Sequence, residues 1–561
     1  MNAETPDRGK PGNTRVEPND DMLGAQELPT GSGSPASRVV CPAREEISSL
    51  QSVVWEAYLG QRRWFACKHQ QRSAVQLAVY ARADVAGFAF AEFEVLLPHE
   101  AERYFLPLSV VPDLSDVPES HPEQAIARLD RHDHAAGGLL VDAFAVPEFS
   151  WGLLAMLKDH TVLETPDAGE IVFRPTDRLD TLDLGERELS CIRWLSAEQS
   201  NSSLVIDEKV VLKLVRRVVG GTHPEAEMTR YLTAHGYTHA GPLVGEVVRV
   251  DTEGAPHTLC ILQGFIPNEG DAWSLSLAHM RQAVEDARRD DEVVDRNCPE
   301  ALQSRMDAYC QLSANIGRRL GELHAVLASP TEEEAFSPQT ATDEDVASWT
   351  SGTVELIRSA LDILGSRLDT LNDADRALAR SLLERRTAVL DHVRAVSPVG
   401  VAPLCFRIHG DLHLGQVLIA DGDAYLIDFE GEPGRTLEER RKKASPLRDI
   451  AGMLRSLRYA SATVGAEFAG HGERLDEDVS EILENFYVHA EAAFLSAYHD
   501  ALAIAQLNVA GDEQTFSVLL RLFMLEKAAY EIRYEVANRP EWIGVPLRGL
   551  SELVDQSLAK P

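Results

Sequence analysis

Cysteine is scarce and scattered: seven residues, at 41, 67, 191, 260, 298, 310 and 405, none closer than twelve positions to the next. That odd, wide spacing fits neither a disulfide framework nor a zinc knuckle, so a reducing, cytoplasmic setting is expected. Aromatic residues make up only 6% of the 561 positions. No stretch approaches the roughly 20 unbroken apolar residues of a membrane span, and the N-terminus has no apolar signal-peptide region. Basic residues are also short, 54 against 89 acidic, for a formal net charge of -35. Such a field opposes general affinity for nucleic acid or an anionic membrane. If the substrate is a polyanion such as ATP, the site must gather its own cations.

What is present is ordinary globular composition, 44% apolar and 25% charged, at a length suited to roughly three or four domains. Residues 1–45, rich in Pro, Gly, Asn, Asp and Glu, read as a disordered leader. Residues 46–185 mix a helix near Ile47–Leu59 with short strands such as Ala74–Tyr80 and Phe88–Leu97. Within them Arg62-Arg63-Trp64-Phe65-Ala66-Cys67-Lys68 reads as core packing with snorkelling cations rather than a binding edge. Residues 186–265 carry short strands separated by turn residues, with Asp207-Glu208 in a hairpin position and one helix at Pro224–Ala234. Residues 266–561 are mostly helical by apolar periodicity, with an acidic stretch at Glu285–Asp295 reading as a solvated insertion. Cys405–Phe429 interrupts the helices as strand, loop, strand.

That interruption holds the chemistry. His409-Gly410-Asp411-Leu412-His413-Leu414-Gly415-Gln416 precedes Ala424-Tyr425-Leu426-Ile427-Asp428-Phe429-Glu430, and closing the intervening hairpin brings Asp411 and Asp428 to one end. Phosphoryl transfer needs such a pair, one carboxylate to take the proton of an attacking hydroxyl and one to hold Mg²⁺. Gln416 supplies a further hard oxygen for that ion. His409 and His413 are spaced like a zinc-protease pair, but that motif needs a helix with Glu second, and here Gly-Asp follows between strands.

Lys213 stands centrally in the apolar strand Val210–Val215, where an unpaired ammonium is costly. It snorkels from an edge strand or it needs an anion: a nucleotide phosphate, or Glu225 or Glu227 on the helix that follows. Glu227 is preferred because Met228, Tyr231 and Leu232 supply an apolar stripe beside it. Glu198-Gln199-Ser200-Asn201-Ser202 joins two strands where a phosphate-covering loop would sit, although without glycine its donors would be hydroxyls and amides. Arg216 and Arg217 add positive charge nearby. Gln263-Gly264-Phe265 lies where sheet gives way to helix, a hinge whose backbone suits an adenine edge or a plain linker. Arg440-Arg441-Lys442-Lys443, the strongest basic run, reads as a solvated loop rather than a phosphate patch. Asp449 reads as structural, in the first turn of a helix that Ser445 caps.

In order, these parts resemble an α+β, bilobal protein-kinase-like fold, a β-rich N-lobe and helical C-lobe, with an N-terminal α/β cap domain. His409–Gln416 with Ile427-Asp428-Phe429-Glu430-Gly431-Glu432-Pro433 is similar to the maltokinase family, actinobacterial relatives of the aminoglycoside phosphotransferases. Ser445–Met453 and Tyr530-Glu531-Ile532-Arg533-Tyr534-Glu535 with Asn538-Arg539-Pro540 extend the likeness over about residues 50 to 555. Ala66 and Cys67 stand where that family commonly has glycine. The resemblance implies ATP-dependent phosphorylation of maltose to maltose 1-phosphate for α-glucan synthesis, beside trehalose synthase as a possible partner. It implies Asp411 as base, Gln416 and Asp428 on Mg²⁺, and Lys213 on the α- and β-phosphates, oriented by Glu227. Ser200, Asn201, Ser202, Gln263 and Phe265 would complete the ATP site.

For the sugar the resemblance points to His413, Glu430, Tyr530, Glu531, Tyr534, Glu535 and Asn538. Glu531, Glu535 and Asn538 share one helix face, and Tyr530 with Tyr534 an adjacent one. The alternative for that face is solvent exposure with Glu–Arg pairs. A glucosamine kinase or another small-molecule kinase is the near alternative function, and a regulatory pseudokinase the distant one.

Overall fold

A computed structural model of the protein describes residues 39–68, 70–113, 122–129, 138–166, 168–184, 191–195, 200–290, 298–395, 400–469 and 476–559. The expected leader up to residue 38, Glu198-Gln199 of the covering loop and 291–295 of the acidic insertion lie outside these residues. Residues 39–45, expected in the leader, belong to the folded body: Val40 bridges to Val110, and a helix begins at Arg44.

The first sheet is antiparallel, built from β1 (Ala74–Ala83), β2 (Phe88–Leu96), β3 (Ala101–Val111), β4 (Ala125–Leu129) and β5 (Gly138–Asp142) in the order β1-β2-β3-β5-β4. Helix α1 (Ser52–Gly60) covers one face and α2 (Pro147–Lys158) the other. The helix expected over 47–59 is thus two short ones, broken at Leu50-Gln51. Both faces of β2 are covered, so apolar residues stand on each side of it, with Glu92 and Glu94 the exceptions. Ala89, Ala91, Phe93 and Val95 pack with Trp55, Trp64 and Phe65, while Phe88 and Phe90 turn to the opposite core. Trp64, Phe65 and Cys67 are buried, as the packing reading of that segment requires.

The second sheet has seven antiparallel strands. These are β6 (Val162–Thr165), β7 (Gly169–Pro175), β8 (Ile192–Leu195), β9 (Ser202–Ile206), β10 (Val210–Leu214), β11 (Leu243–Val250) and β12 (Pro256–Gly264), ordered β6-β7-β11-β12-β10-β9-β8. β6 and β7 precede residue 185, where the unit boundary was expected, yet β7 pairs with β11 along its length. Asp207 and Glu208 turn between β9 and β10 with φ of 52° and 48°, the positive pair a tight hairpin demands. Helix α3 (Pro224–Ala234) lies where the sequence put it, with Pro at its first turn.

The two sheets share one core, since Phe88, Phe90 and Phe105 cluster with Leu204, Leu212, Val247 and Leu262. Burial on that scale contributes about 2 kcal/mol per large side chain. Buried ion pairs cross it: Arg216 Nη2 to Asp142 at 2.8 Å and Arg249 Nε to Glu92 at 2.5 Å. Arg216, expected near the phosphates, is instead fully buried between the Trp64 and Phe144 rings. Arg217 likewise pairs with Glu102 of the first sheet at 2.6 Å.

The remaining chain is helical: α4 (Ala272–Asp290), α5 (Cys298–Leu327), α6 (Asp343–Arg367), α7 (Leu447–Ala469), α8 (Glu477–Ile504), α9 (Glu513–Asn538) and α10 (Gly544–Ala559). The expected interruption is a hairpin, β13 (Val417–Ala420) and β14 (Asp423–Leu426), extended by Gly270–Asp271. Gly452 lets α7 approach the loop before it, because a Cβ there would stand 2.5 Å from the Leu412 carbonyl oxygen. Among the described residues no helix is long and apolar enough to cross a membrane.

Candidate active site

Asp449 fixes the loop that carries Asp411. Its two carboxylate oxygens accept from the backbone amides of His409 (2.8 Å) and Gly410 (2.9 Å), and His324 Nε2 bonds the same carboxylate at 3.1 Å. Burial opposes its charge, but the His324 bond and the loop amides outweigh that and hold its pKa below the ordinary aspartate range. Its task is structural, as expected, although its partners are the loop amides rather than its own helix. The His409 ring bonds the Ile427 carbonyl at 2.9 Å, tying the loop to the far side of the hairpin. His413 Nδ1 accepts from the Gly415 amide at 3.1 Å, shaping the turn that presents Gln416.

At the hairpin's end Asp428 takes the left-handed backbone region, φ 64°, which aspartate tolerates better than most side chains. Its carboxylate accepts from Gln416 Nε2 at 2.8 Å and from Lys213 Nζ at 2.8 Å. Lys213 therefore reaches the cleft between the lobes rather than snorkelling. The same ammonium meets Glu225 and Glu430, each at 2.9 Å. Its glutamate on α3 is Glu225 and not Glu227, which instead accepts from Arg407 Nη1 at 2.6 Å and from Arg441 Nη2 at 2.7 Å. Helix geometry gives the reason: Met228 and Leu232 lie three and seven residues after Glu225, so the apolar stripe accompanies Glu225 inward.

Three carboxylates thus surround one ammonium, with ligand oxygens of Glu225, Asp428 and Glu430 all within 4.8 Å of one another. Burial and its two acidic neighbours outweigh Lys213 at Glu225 and raise its pKa; at Asp428 burial is overcome by Lys213, His409 and Gln416, and its pKa falls. His223, at the start of α3, is buried with Nδ1 unpartnered among the described residues, and burial pushes it down to about 4. The three carboxylate oxygens are a donor set that fits a divalent cation. Asp428 and the amide oxygen of Gln416 are the hard donors Mg²⁺ prefers.

Glu430, expected at the sugar, belongs to this cluster: besides Lys213 it accepts from Asn201 Nδ2 at 2.7 Å, which ties the covering loop to the hairpin. Ser200 is exposed, while Ser202 Oγ accepts from Arg216 Nε at 2.8 Å and so faces the first sheet. Gln263 Nε2 donates to Thr229 Oγ1 at 3.1 Å. The Phe265 amide donates to the Lys209 carbonyl at 2.8 Å, and Arg193 covers its ring, so that amide is spent on the lobe.

Beside Asp411 a cleft opens, lined by Gly410, Gly431, Glu432, Glu526, Lys527 and Tyr530 among others. Lys527 Nζ lies 3.4 Å from Asp411 Oδ1 and 5.2 Å from the centre of the Tyr530 ring. Burial works against its ammonium, but Asp411 and Glu432 hold its pKa above the ordinary lysine range. Of the seven residues assigned to the sugar, Tyr530 lines this cleft. Glu531 is bound by the buried Arg455 (2.6 Å), Glu535 by Arg539 (2.7 Å), and Asn538 donates to the Tyr534 carbonyl at 2.9 Å. Tyr534 is exposed, with Arg539 over its ring. The cleft face of α9 is Phe523, Glu526, Lys527 and Tyr530, the adjacent stripe.

No family model matches the chain. A glucosamine kinase of Mycolicibacterium smegmatis (strain ATCC 700084 / mc(2)155) is 26% identical over 366 residues, 65% of this chain and 80% of its own. A glucosamine kinase of Streptacidiphilus jiangxiensis is 25% identical over 377 residues, 65% of this chain and 74% of its own. Among solved structures, a glucosamine kinase in complex with glucosamine, ADP and inorganic phosphate superposes with a TM-score of 0.59 at 20% identity, over 92% of this chain and all of that one. A second glucosamine kinase crystal form gives 0.61 at 19%, over 91% and 100%. The bilobal kinase-like fold is thereby established, and the chain is a relative of sugar kinases. The relatives named are glucosamine kinases, so the maltokinase likeness of the motifs is met at the level of sugar kinases.

Proposed function

We propose that this protein is an ATP-dependent kinase of a sugar hydroxyl. One observation carries the reading: Lys213 of the β-rich lobe and Asp428 of the helical lobe meet at 2.8 Å, beside Gln416 and on the loop system that presents Asp411. Asp411 takes the proton of the attacking hydroxyl, and Lys213 receives the nucleotide phosphates, steadied by Glu225. Asp428 and the Gln416 amide oxygen would hold Mg²⁺, whose chemistry there is to neutralise charge on the phosphate oxygens. Positioning and charge neutralisation are most of what a loose, in-line transfer asks of a protein. A regulatory pseudokinase has no need of Asp411, Gln416, Asp428 and Lys213 together.

Glucosamine is the first acceptor to test, because both curated relatives are glucosamine kinases. Maltose, giving maltose 1-phosphate, is the second. Lys527 favours it, since an ammonium already beside Asp411 would repel the amino group of glucosamine. Partnership with trehalose synthase belongs to the maltose reading alone. The assay is ADP release from Mg²⁺-ATP with glucosamine, maltose, glucose and an aminoglycoside. Asp411→Asn is expected to lose about 10²- to 10⁴-fold, the range of a general base. Near wild-type turnover in that variant would remove Asp411 as the base, and no ADP release with any acceptor would remove the kinase reading.

A further inference from the structure

Within that kinase reading, we propose that Arg440 is a catalytic cation whose guanidinium contacts the phosphoryl group as it passes from ATP to the sugar.

The structure divides the basic run that reads as a solvated loop. Arg441 is spent on Glu227, and Lys442 is exposed. Arg440 is part-buried, its stem lying along Gly431, where an added Cβ would meet the arginine's Cβ, Cγ and Cδ at 3.3–3.8 Å. Nε donates to the Arg435 carbonyl at 2.9 Å and Nη2 to the Pro433 carbonyl at 2.7 Å. Both acceptors are uncharged, so they fix the guanidinium's orientation and leave its charge unneutralised. No described carboxylate forms an ion pair with it, and Nη1 has no described acceptor. The charged groups that act on it most strongly are Glu430, Arg217, Asp411 and Asp428. It lines the acceptor cleft with Gly410 and Gly431, the glycines flanking the proposed base and the metal-side carboxylates.

This placement answers a charge problem. The chain carries a net charge of -35, and Lys213 is already shared by three carboxylates on the nucleotide side. During transfer the acceptor oxygen forms a bond to the γ-phosphorus, the bond from that phosphorus to the β–γ bridging oxygen breaks, and ADP leaves with that electron pair. The hydroxyl proton passes to Asp411. Charge then sits on three equatorial oxygens between base and metal carboxylates, where a fixed arginine from the same chain stabilises it.

The test compares wild type with Arg440→Ala and Arg440→Lys in the full chain. Expected are a fall in kcat of about 10²- to 10³-fold for Arg440→Ala, a smaller fall for Arg440→Lys, and acceptor KM and MgADP affinity by calorimetry within about threefold. Guanidinium ion at non-denaturing concentration is expected to restore part of the Arg440→Ala rate, and melting temperature checks the fold. An unchanged kcat overturns the proposal. So does a loss confined to acceptor KM, which would make Arg440 a reader of an anionic group on the sugar, or one confined to MgADP affinity. If wild type turns over, Asp411→Asn does not and Arg440→Ala does, only the arginine proposal falls; if wild type never turns over, the kinase reading falls with it.

Discussion

Two buried charge centres face each other across helix α3, and they are inverted copies in sign. At one, a single ammonium, Lys213, is ringed by Glu225, Asp428 and Glu430. At the other, a single carboxylate, Glu227, is gripped by Arg407 and Arg441. The first has anionic groups to spare and faces the cleft. The second joins α3 to Arg407, just before the Asp411 loop, and to the segment after Asp428, and needs nothing from solution. In the proposed kinase, surplus charge therefore marks the reacting side of α3, while charge spent on guanidinium marks the side that locks the lobes together.

The contrast breaks first at its cation. Lys213→Met is expected to cut kcat/KM by about 10³-fold with the fold retained, read by ADP release beside circular dichroism. Next is Glu227→Gln, which strands the Arg407 guanidinium at 1% exposure. It should cost about 3–5 kcal/mol in chemical unfolding, largely recovered by adding Arg407→Met; equal stability of Glu227→Gln and wild type would show the second centre to be ornamental.

His223 sharpens the difference through pH. Its folded pKa, about 4, lies below the ordinary 6.5 because the buried imidazole resists charging. Its contribution is therefore complete above pH 6.5 and lost as pH falls through about 4. Over that window the wild type should lose about 3 kcal/mol more than His223→Asn; parallel unfolding curves would count against it. The smallest effect is a control outside both centres: Asn538→Ala, removing one exposed amide-to-carbonyl bond, should cost less than about 1 kcal/mol and leave sugar KM unchanged.

The meeting of Lys213 with Asp428 was legible because its physics is local: a lysine amid Val210–Val215 demands a counter-charge, and the end of the hairpin supplies one. Choosing between Glu225 and Glu227 demanded the phase of α3 relative to the sheet, and the stripe of Met228 and Leu232, taken at the right period, already pointed to Glu225. On α9 the error was of the same kind. Glu531 and Glu535 look available for hydroxyls, but their partners Arg455 and Arg539 show which side of the helix they occupy. Lys527 and Tyr530, three residues apart, were the signal for the cleft side. Glu430 and Arg216 were unreadable for another reason: their partners, Asn201 and Asp142, come from distant chain segments that only the assembled sheets bring near.

The pairs Arg216–Asp142 and Arg249–Glu92, with β6 and β7 completing the seven-stranded sheet, bear on how this chain can be cut. An excised fragment starting at residue 186 would uncover the flank of β11 and leave two interior guanidinium groups without counter-ions. A shortened chain for expression or inhibitor work has to keep the N-terminal sheet, which serves as permanent scaffolding for the β-rich lobe.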